Sequence, residues 1–317
     1  MSNLMFALNA TIPLFILIAL GYFLRKVKIL DNEGFLKTAN KFNFTLTLPM
    51  LLFVDLSSMD IRETFDLKFL LFCAIATSIA FWGAWGFAKL YVKDKNVVGE
   101  FVQASYRSST AVLGLALIQN IYGSSGMAGM MILGAVPLYN IYAVIVLQTE
   151  SPLADKTKGK GNMKKALIGI AKNPIVIGII LGLLSSIIGI HYPEMIQKPM
   201  DYIARLATPL ALICIGAEFN LKDAFKRLKL SVVASVIKII ILPVVFTTIA
   251  VLMGFRTEKL IAIFIMLAGS TTPSCFIMAK QYGYEGTVTS SAVVITTLFT
   301  SVTITLFLFL LRTMGFV

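Results

Sequence analysis

Charge is scarce in this chain: Asp, Glu, Lys and Arg make up 14% of its 317 residues, against 57% hydrophobic. A soluble domain carries about 45–50% apolar and about 25% charged residues. The deficit excludes an ordinary soluble fold, and a mean hydropathy of +0.85 points to a chain that crosses a bilayer many times. Histidine is nearly missing, with only His191 beside Tyr192-Pro193. Neither Ser109 nor Ser274 therefore has a base at depth, and an intramembrane serine nucleophile lacks its partner. Cys73, Cys214 and Cys275 are scattered through apolar stretches without metal-type spacing and read as small core residues. No phosphate-binding glycine loop occurs. These absences argue against an enzyme and imply no metal or cofactor.

What is present is a series of apolar runs. Ten can be drawn, at 8–24, 38–58, 69–90, 101–121, 127–148, 166–190, 200–219, 230–254, 260–281 and 287–311. Most approach the about 20 residues that a helix needs to cross the hydrocarbon. The net charge of +12 would suggest nucleic acid in a soluble protein, but its placement speaks for a membrane. Most basic residues fall in alternate loops, among them Arg25, Lys26, Lys28, Lys93, Lys95 and the run Lys156, Lys158, Lys160, Lys164, Lys165. Cytoplasmic loops collect Lys and Arg, so both termini are expected outside a multi-pass protein of the cell membrane. The first run has no charge before it and Arg25-Lys26 after it, the reverse of a secretory signal peptide, and should remain in the mature protein.

Inside the ninth run lies Ser270-Thr271-Thr272-Pro273-Ser274. Such a polar break survives at membrane depth only where it is buried in protein or lines a watery cavity, and broken helices are where transporters commonly hold substrate. Shifting the sequence by 160 residues places Pro49 on Pro209, Tyr122 on Tyr282, Gly123 on Gly283 and Gly126 on Gly286, and a shift of 161 places Leu20-Gly21 on Leu181-Gly182. These matches indicate an internal duplication. A unit of five spans is odd, so the second must be inverted. The expected fold is all-α, with ten transmembrane helices in two inverted five-helix repeats, 1–149 and 166–317, joined by a cytoplasmic linker at 150–165. At that offset Ser270 falls on Thr110, so runs 4 and 9 should both break and meet near the midplane.

The motifs Leu48-Pro49-Met50-Leu51-Leu52-Phe53, Tyr106-Arg107-Ser108-Ser109 through Gly114-Leu115-Ala116-Leu117 to Tyr122-Gly123, Ala207-Thr208-Pro209-Leu210, and Thr272-Pro273-Ser274 through Ala279 to Tyr282-Gly283 together resemble the auxin efflux carrier family. That family includes plant auxin carriers and bacterial permeases described for malate or malonate. The resemblance implies crossing of spans 4 and 9. It also implies a scaffold of spans 1, 2, 6 and 7, a transport part made of the others, and often a homodimer. The family often has Asn where this chain has Ser109 and proline where it has Ala116; the break in span 9 is better preserved.

Two basic residues fall inside spans, Arg107 and Lys238. A charge there costs at least about 2.5–3.5 kcal/mol, which makes each a functional candidate. Arg107 could hold a carboxylate through paired hydrogen bonds. Lys238 could bind an anion, carry a proton, or prop free carbonyls beside an unwound segment. The nearest acids, Asp55, Glu218 and Glu285, lie at span ends, and the absence of a deep carboxylate in spans 3 to 5 and 8 to 10 favours an anionic substrate held by helix N-termini, hydroxyls and a basic residue. The expected substrate site is Arg107, Ser109, Thr110, Thr271, Thr272, Pro273 and Ser274, with Asn43 from span 2 and Lys238 from span 8. The sequence reads as a secondary transporter of small organic anions such as malate, malonate or auxin-like acids, working in the bilayer with a proton or sodium ion as possible coupling ion. A sodium-coupled organic-anion symporter of the bile-acid type is the closest rival, and an anion channel the next.

Overall fold

Prolines, glycines and a few acids decide where the helices of this chain widen, touch and stop. The computed structural model describes residues 3–30, 32–58, 65–110, 118, 127–153 and 171–317. Every regular element among them is helical. Most of the linker expected at 150–165, and the part of run 4 beyond Thr110 that carries Gly114 and Tyr122-Gly123, lie outside the described residues.

Helix α1 (Asn3–Lys26) runs through Pro13 and ends on Arg25 and Lys26. Helix α2 (Glu33–Phe42) starts at Asn32, whose side chain accepts from the Gly34 and Phe35 N–H groups, an ordinary N-cap. It passes through a wide π turn, Asn43–Thr47, into α3 (Leu48–Ser57). Pro49 explains the widening. Proline offers no N–H and its ring crowds the carbonyl four residues back, so the Leu48 N–H reaches the Asn43 carbonyl instead.

Then come α4 (Leu67–Tyr91), α5 (Val98–Tyr106), α6 (Ala128–Thr149), α7 (Pro174–Ile188) and α8 (Glu194–Glu218). Helix α4 begins at Asp66, which caps the Phe69 N–H and takes a hydrogen bond from Lys259 at 2.6 Å. That lysine, before all else, holds the Asp66 carboxyl below its usual range. Helices α9 (Leu221–Val236) and α10 (Leu242–Leu252) are joined by a second π turn, Ile237–Ile241, again just before a Leu-Pro pair. The series closes with α11 (Thr257–Ala268), α12 (Ser274–Gln281) and α13 (Thr287–Thr313).

Among the described residues, α4, α6, α8, the joined α9–α10 segment Lys222–Leu252, and α13 are long and apolar enough to cross a bilayer, and α7 is a shorter apolar helix. Their outward faces are greasy. Leu71, Ile75, Ile79 and Trp82 of α4 and Phe299, Val302, Leu306 and Phe309 of α13 are all exposed. A soluble monomer rarely shows such continuous apolar faces, whereas lipid solvates them.

Close helix contacts rest on glycine. A Cβ on Gly21 would strike the Ile213 carbonyl and one on Gly216 the Ile18 carbonyl, which locks α1 to α8. Gly178 and Gly182 do the same for α7 against Pro49 and Phe53 of α3. Backbones that approach this closely gain dispersion contact, which drives helix association when water does not.

Two acids tie helix starts together. Glu100, in the first turn of α5 and fully buried, accepts from the N–H groups of Gly286 (3.0 Å), Val288 (2.9 Å) and Thr289 (3.1 Å) and from the Thr289 hydroxyl (3.2 Å) at the start of α13. Glu258, in the first turn of α11, accepts from the Met127 N–H at the start of α6 at 2.6 Å.

Candidate functional site

Two helices lose their regular hydrogen bonding in the protein interior. Helix α5 stops at Tyr106, and Arg107 is extended at φ −74, ψ 137. Helix α11 stops at Ala268, and the chain is irregular until α12 starts at Ser274. The break therefore begins at Gly269, one residue earlier than the sequence suggested, and Ser274 belongs to the helix beyond it. The glycine lets the two segments approach closely: a Cβ at Gly269 would lie 2.5 Å from the Ser108 hydroxyl, which would have to turn away.

The two breaks are bonded to each other. The Ser109 N–H donates to the Ser270 carbonyl at 2.9 Å. The Thr271 hydroxyl donates to the Ala104 carbonyl (3.0 Å), the Gln103 amide to the Cys275 carbonyl (2.8 Å). Backbone groups released by each interruption are thus partly taken up by the other, as burial in an apolar interior demands.

Beside this junction lies a cavity of about 60 Å³, lined among others by Arg107, Ser108, Ser109, Thr110, Thr272, Pro273 and Ser274 from the breaks, Asn140 and Tyr139 from α6, Asp55 from α3 and Thr208 from α8. Arg107 is 1% exposed. Its guanidinium donates to Asn140 Oδ1 (2.8 Å), Ser274 Oγ (3.0 Å), Gln103 Oε1 (3.2 Å) and Met278 Sδ (3.0 Å). All four acceptors are neutral. Arg107 Nε, Ser108 Oγ and Asp55 Oδ2 are buried and meet no partner among the described residues. Buried polar atoms are nearly always paired, so three orphans around one cavity make it the candidate site.

Of the residues expected from sequence, Arg107, Ser109, Thr110, Thr272, Pro273 and Ser274 come together around this cavity. Thr271, Asn43 and Lys238 are not among its lining. Thr271 is spent on the junction itself. Asn43 sits in the first π turn, donating to the Ala207 carbonyl at 3.0 Å and accepting from Thr47 at 2.5 Å. Lys238 lies fully buried in the second π turn and donates to the carbonyl of Leu267, in the last turn of α11. Sequence reasoning missed Asn140, Gln103 and Asp55. A signal existed for Asn140, an amide isolated in an apolar run three residues after Pro137, but none showed which charge it would orient.

A separate, wider pocket of about 1430 Å³ is lined among others by Arg25, Lys37, Lys41, Lys222, Lys280 and Glu218. Lys280 of α12 pairs with Glu218 of α8 at 2.6 Å, and the Asn40 amide of α2 donates to the same carboxylate at 2.6 Å. A pocket rich in basic side chains raises the local concentration of anions.

Comparison with known proteins gives consistent findings. A family model described as "Membrane transport protein" matches residues 6–308. The chain is 26% identical over 315 residues to a "Putative malonate transporter" of Rhizobium meliloti (strain 1021), covering 95% of this chain and 94% of the relative. It is 23% identical over 304 residues to the "Uncharacterized transporter YfdV" of Escherichia coli (strain K12), covering 92% of this chain and 93% of the relative.

Proposed function

Because the chain belongs to the membrane transport protein family, of the auxin efflux carrier type, we propose that it is a secondary transporter that moves small organic anions by alternating access at the junction of its two broken helices. Arg107 carries the reading: a buried guanidinium whose described partners are all neutral, facing a cavity with unpaired polar atoms. A buried charge bonded only to neutral groups is costly, and a substrate carboxylate would supply an ionic partner through charge-assisted bonds. Ser109, Thr110, Thr272 and Ser274 line the same space, and Pro273 sets the turn into α12. The malonate in the relative's name supports a short acid over an aromatic one.

The fold we propose is ten spans in two inverted five-helix repeats. Its support is a symmetry in the contacts. Gly21 meets Ile213 while Gly182 meets Phe53, and these two pairs are related by the offsets of 161 and 160 seen in the sequence. Helix α4 packs on α6 as α9 packs on α13, and α5 touches both α6 and α13, as do α11 and α12. The two acid caps also run from the start of each broken helix to the other half. In this reading the protein sits in the cell membrane with both termini outside, often as a homodimer.

Uptake of labelled malonate, malate and indole acids into proteoliposomes, with and without proton and sodium gradients, tests the function. Saturable uptake of one acid supports it and the gradient dependence names the coupling ion; unitary currents in planar bilayers would instead make it a channel. Lys238 enters this reading as a prop for α11 rather than as a ligand. Lys238→Ala is expected to lower stability by about 1–3 kcal/mol, the cost of an orphaned buried carbonyl, while leaving the KM for the anion within about threefold, since its contact is outside the cavity. A KM rise beyond about tenfold, which would correspond to a lost substrate contact of about 1.4 kcal/mol, would return Lys238 to the site.

A further inference from the structure

The cavity contains one group that the transport reading leaves unused. Asp55 stands in the last turn of α3 and lines the space that holds Arg107. Its Oδ2 is buried and meets no donor among the described residues. Among the described residues its surroundings offer little else that is charged. Arg107 and Tyr139 are the ionisable groups sharing the lining, and the Tyr139 hydroxyl donates to the Met266 carbonyl at 3.3 Å. Helix α7, packed along α3, carries no ionisable side chain, and neither does the Asn43–Thr47 turn. Helix α8 brings Ala207, Thr208 and Ala211 to the cavity; its Arg205 is exposed, Asp201 accepts from Gln197, and Glu218 is held by Lys280 and Asn40.

A carboxylate sharing a small cavity with a guanidinium discriminates among acids. An anion with a single carboxylate satisfies Arg107 and leaves the Asp55 oxygen without a donor, which is unfavourable for a buried acceptor. A fully ionised dicarboxylate brings a second negative charge towards Asp55, and like charges at close range repel strongly where water is excluded. An acid with one carboxylate and one donor satisfies both ends. The cavity volume of about 60 Å³, at roughly 10–15 Å³ for each water-sized site, leaves room for only a short molecule.

Resting on the transporter reading above, we propose that Asp55 is a specificity-determining residue that selects short organic acids bearing one carboxylate and one hydrogen-bond donor, either a hydroxyl or a second carboxyl that keeps its proton. Asp55 Oδ2 accepts from that donor while Arg107 holds the carboxylate.

The test uses full-length protein in proteoliposomes and competition against labelled malonate uptake. Lactate and propionate differ by one hydroxyl, and malonate at about pH 5 and about pH 8 differs in the charge of its second carboxyl. Wild-type protein should prefer lactate to propionate by about tenfold or more, because a site that hydrogen-bonds a hydroxyl rejects the analogue without it. It should also bind malonate more weakly at the higher pH. In Asp55→Asn, an amide that both donates and accepts should reduce the lactate preference to below about threefold and flatten the malonate pH dependence. Asp55→Ala, with no acceptor, should lose the lactate preference as well and serves if the asparagine variant does not fold. Wild-type selectivity in either folded variant overturns the proposal. Wild-type transport that is indifferent to hydroxyl and pH overturns it too and leaves the transporter reading intact, whereas a wild-type protein that takes up no organic acid removes both.

Discussion

Arg107→Gln is expected to abolish anion transport while leaving the protein as stable as before, or more so. The two halves of that result come from the same contacts. In the structure the guanidinium is 1% exposed and bonded to Asn140, Ser274, Gln103 and Met278; Asp55 lines the same cavity, but no carboxylate among the described residues is bonded to the guanidinium. Its desolvation is therefore only partly offset, and removing a charge bonded only to neutral groups regains that penalty while glutamine can still donate to Asn140 or Ser274. Function moves the other way. Removing a charge that pairs with a desolvated carboxylate costs roughly 2–4 kcal/mol, or about 30- to 1,000-fold in affinity. Arg107→Lys should recover little of it, because one ammonium cannot reproduce the planar fork that grips a carboxylate at two points and contacts Asn140 and Ser274 together. Thermal unfolding and the KM for uptake, measured on the same preparation, separate the readings. A variant that loses transport only by losing stability would make Arg107 a structural residue, and one that transports with an unchanged KM would place the substrate elsewhere.

How far the sequence led depends on which physical signal each feature leaves. Broken helices are legible because Ser, Thr and Pro clustered in an apolar run interrupt it with groups that need partners, and the interruption after Ala268 follows from Ser270-Thr271-Thr272-Pro273 almost to the residue. Arg107 was visible for the same reason, as a charge where charge is expensive. The π turns were not visible, since Leu-Pro at Leu48-Pro49 and Leu242-Pro243 could equally have ended or kinked a helix. The chain instead absorbs each proline by widening the preceding turn, which turns Asn43 and Lys238 towards backbone carbonyls and out of the cavity. Asp55 was read as a span-end acid because counting along an apolar run gives depth but no direction; only the packing of α3 against its neighbours shows that it faces Arg107's cavity.

Glu100→Ala is expected to be strongly destabilising, although Glu100 lies outside the cavity. Three backbone N–H groups at the start of α13 and the Thr289 hydroxyl converge on this one carboxylate. A helix leaves its first N–H groups without internal partners, and its N-terminus carries partial positive charge, so a buried acid there satisfies both needs at once. Alanine removes every acceptor and strands buried donors where water does not enter freely, at a cost of about 3–5 kcal/mol. That corresponds to a fall in Tm of roughly 4–8 °C, at about 1.5 °C per kcal/mol for an unfolding entropy of about 2.1 cal/mol/K per residue over 317 residues. Glu100→Gln keeps one acceptor oxygen but brings an amide whose own protons have no place among donors, and should fall between wild type and alanine. The related cap is smaller: Glu258 takes a single N–H, from Met127, so Glu258→Gln should cost less than Glu100→Gln. The order wild type, Glu100→Gln, Glu100→Ala in thermal unfolding identifies a cap that fastens the broken α5 to α13. If Glu100→Ala unfolds within a degree or two of wild type yet transports poorly, the carboxylate acts in transport and its four bonds are incidental to the fold. The cap matters to function through rigidity. Arg107 begins where α5 ends, one residue after Tyr106, so whatever holds the first turn of α5 against α13 also fixes the direction from which the guanidinium enters the cavity.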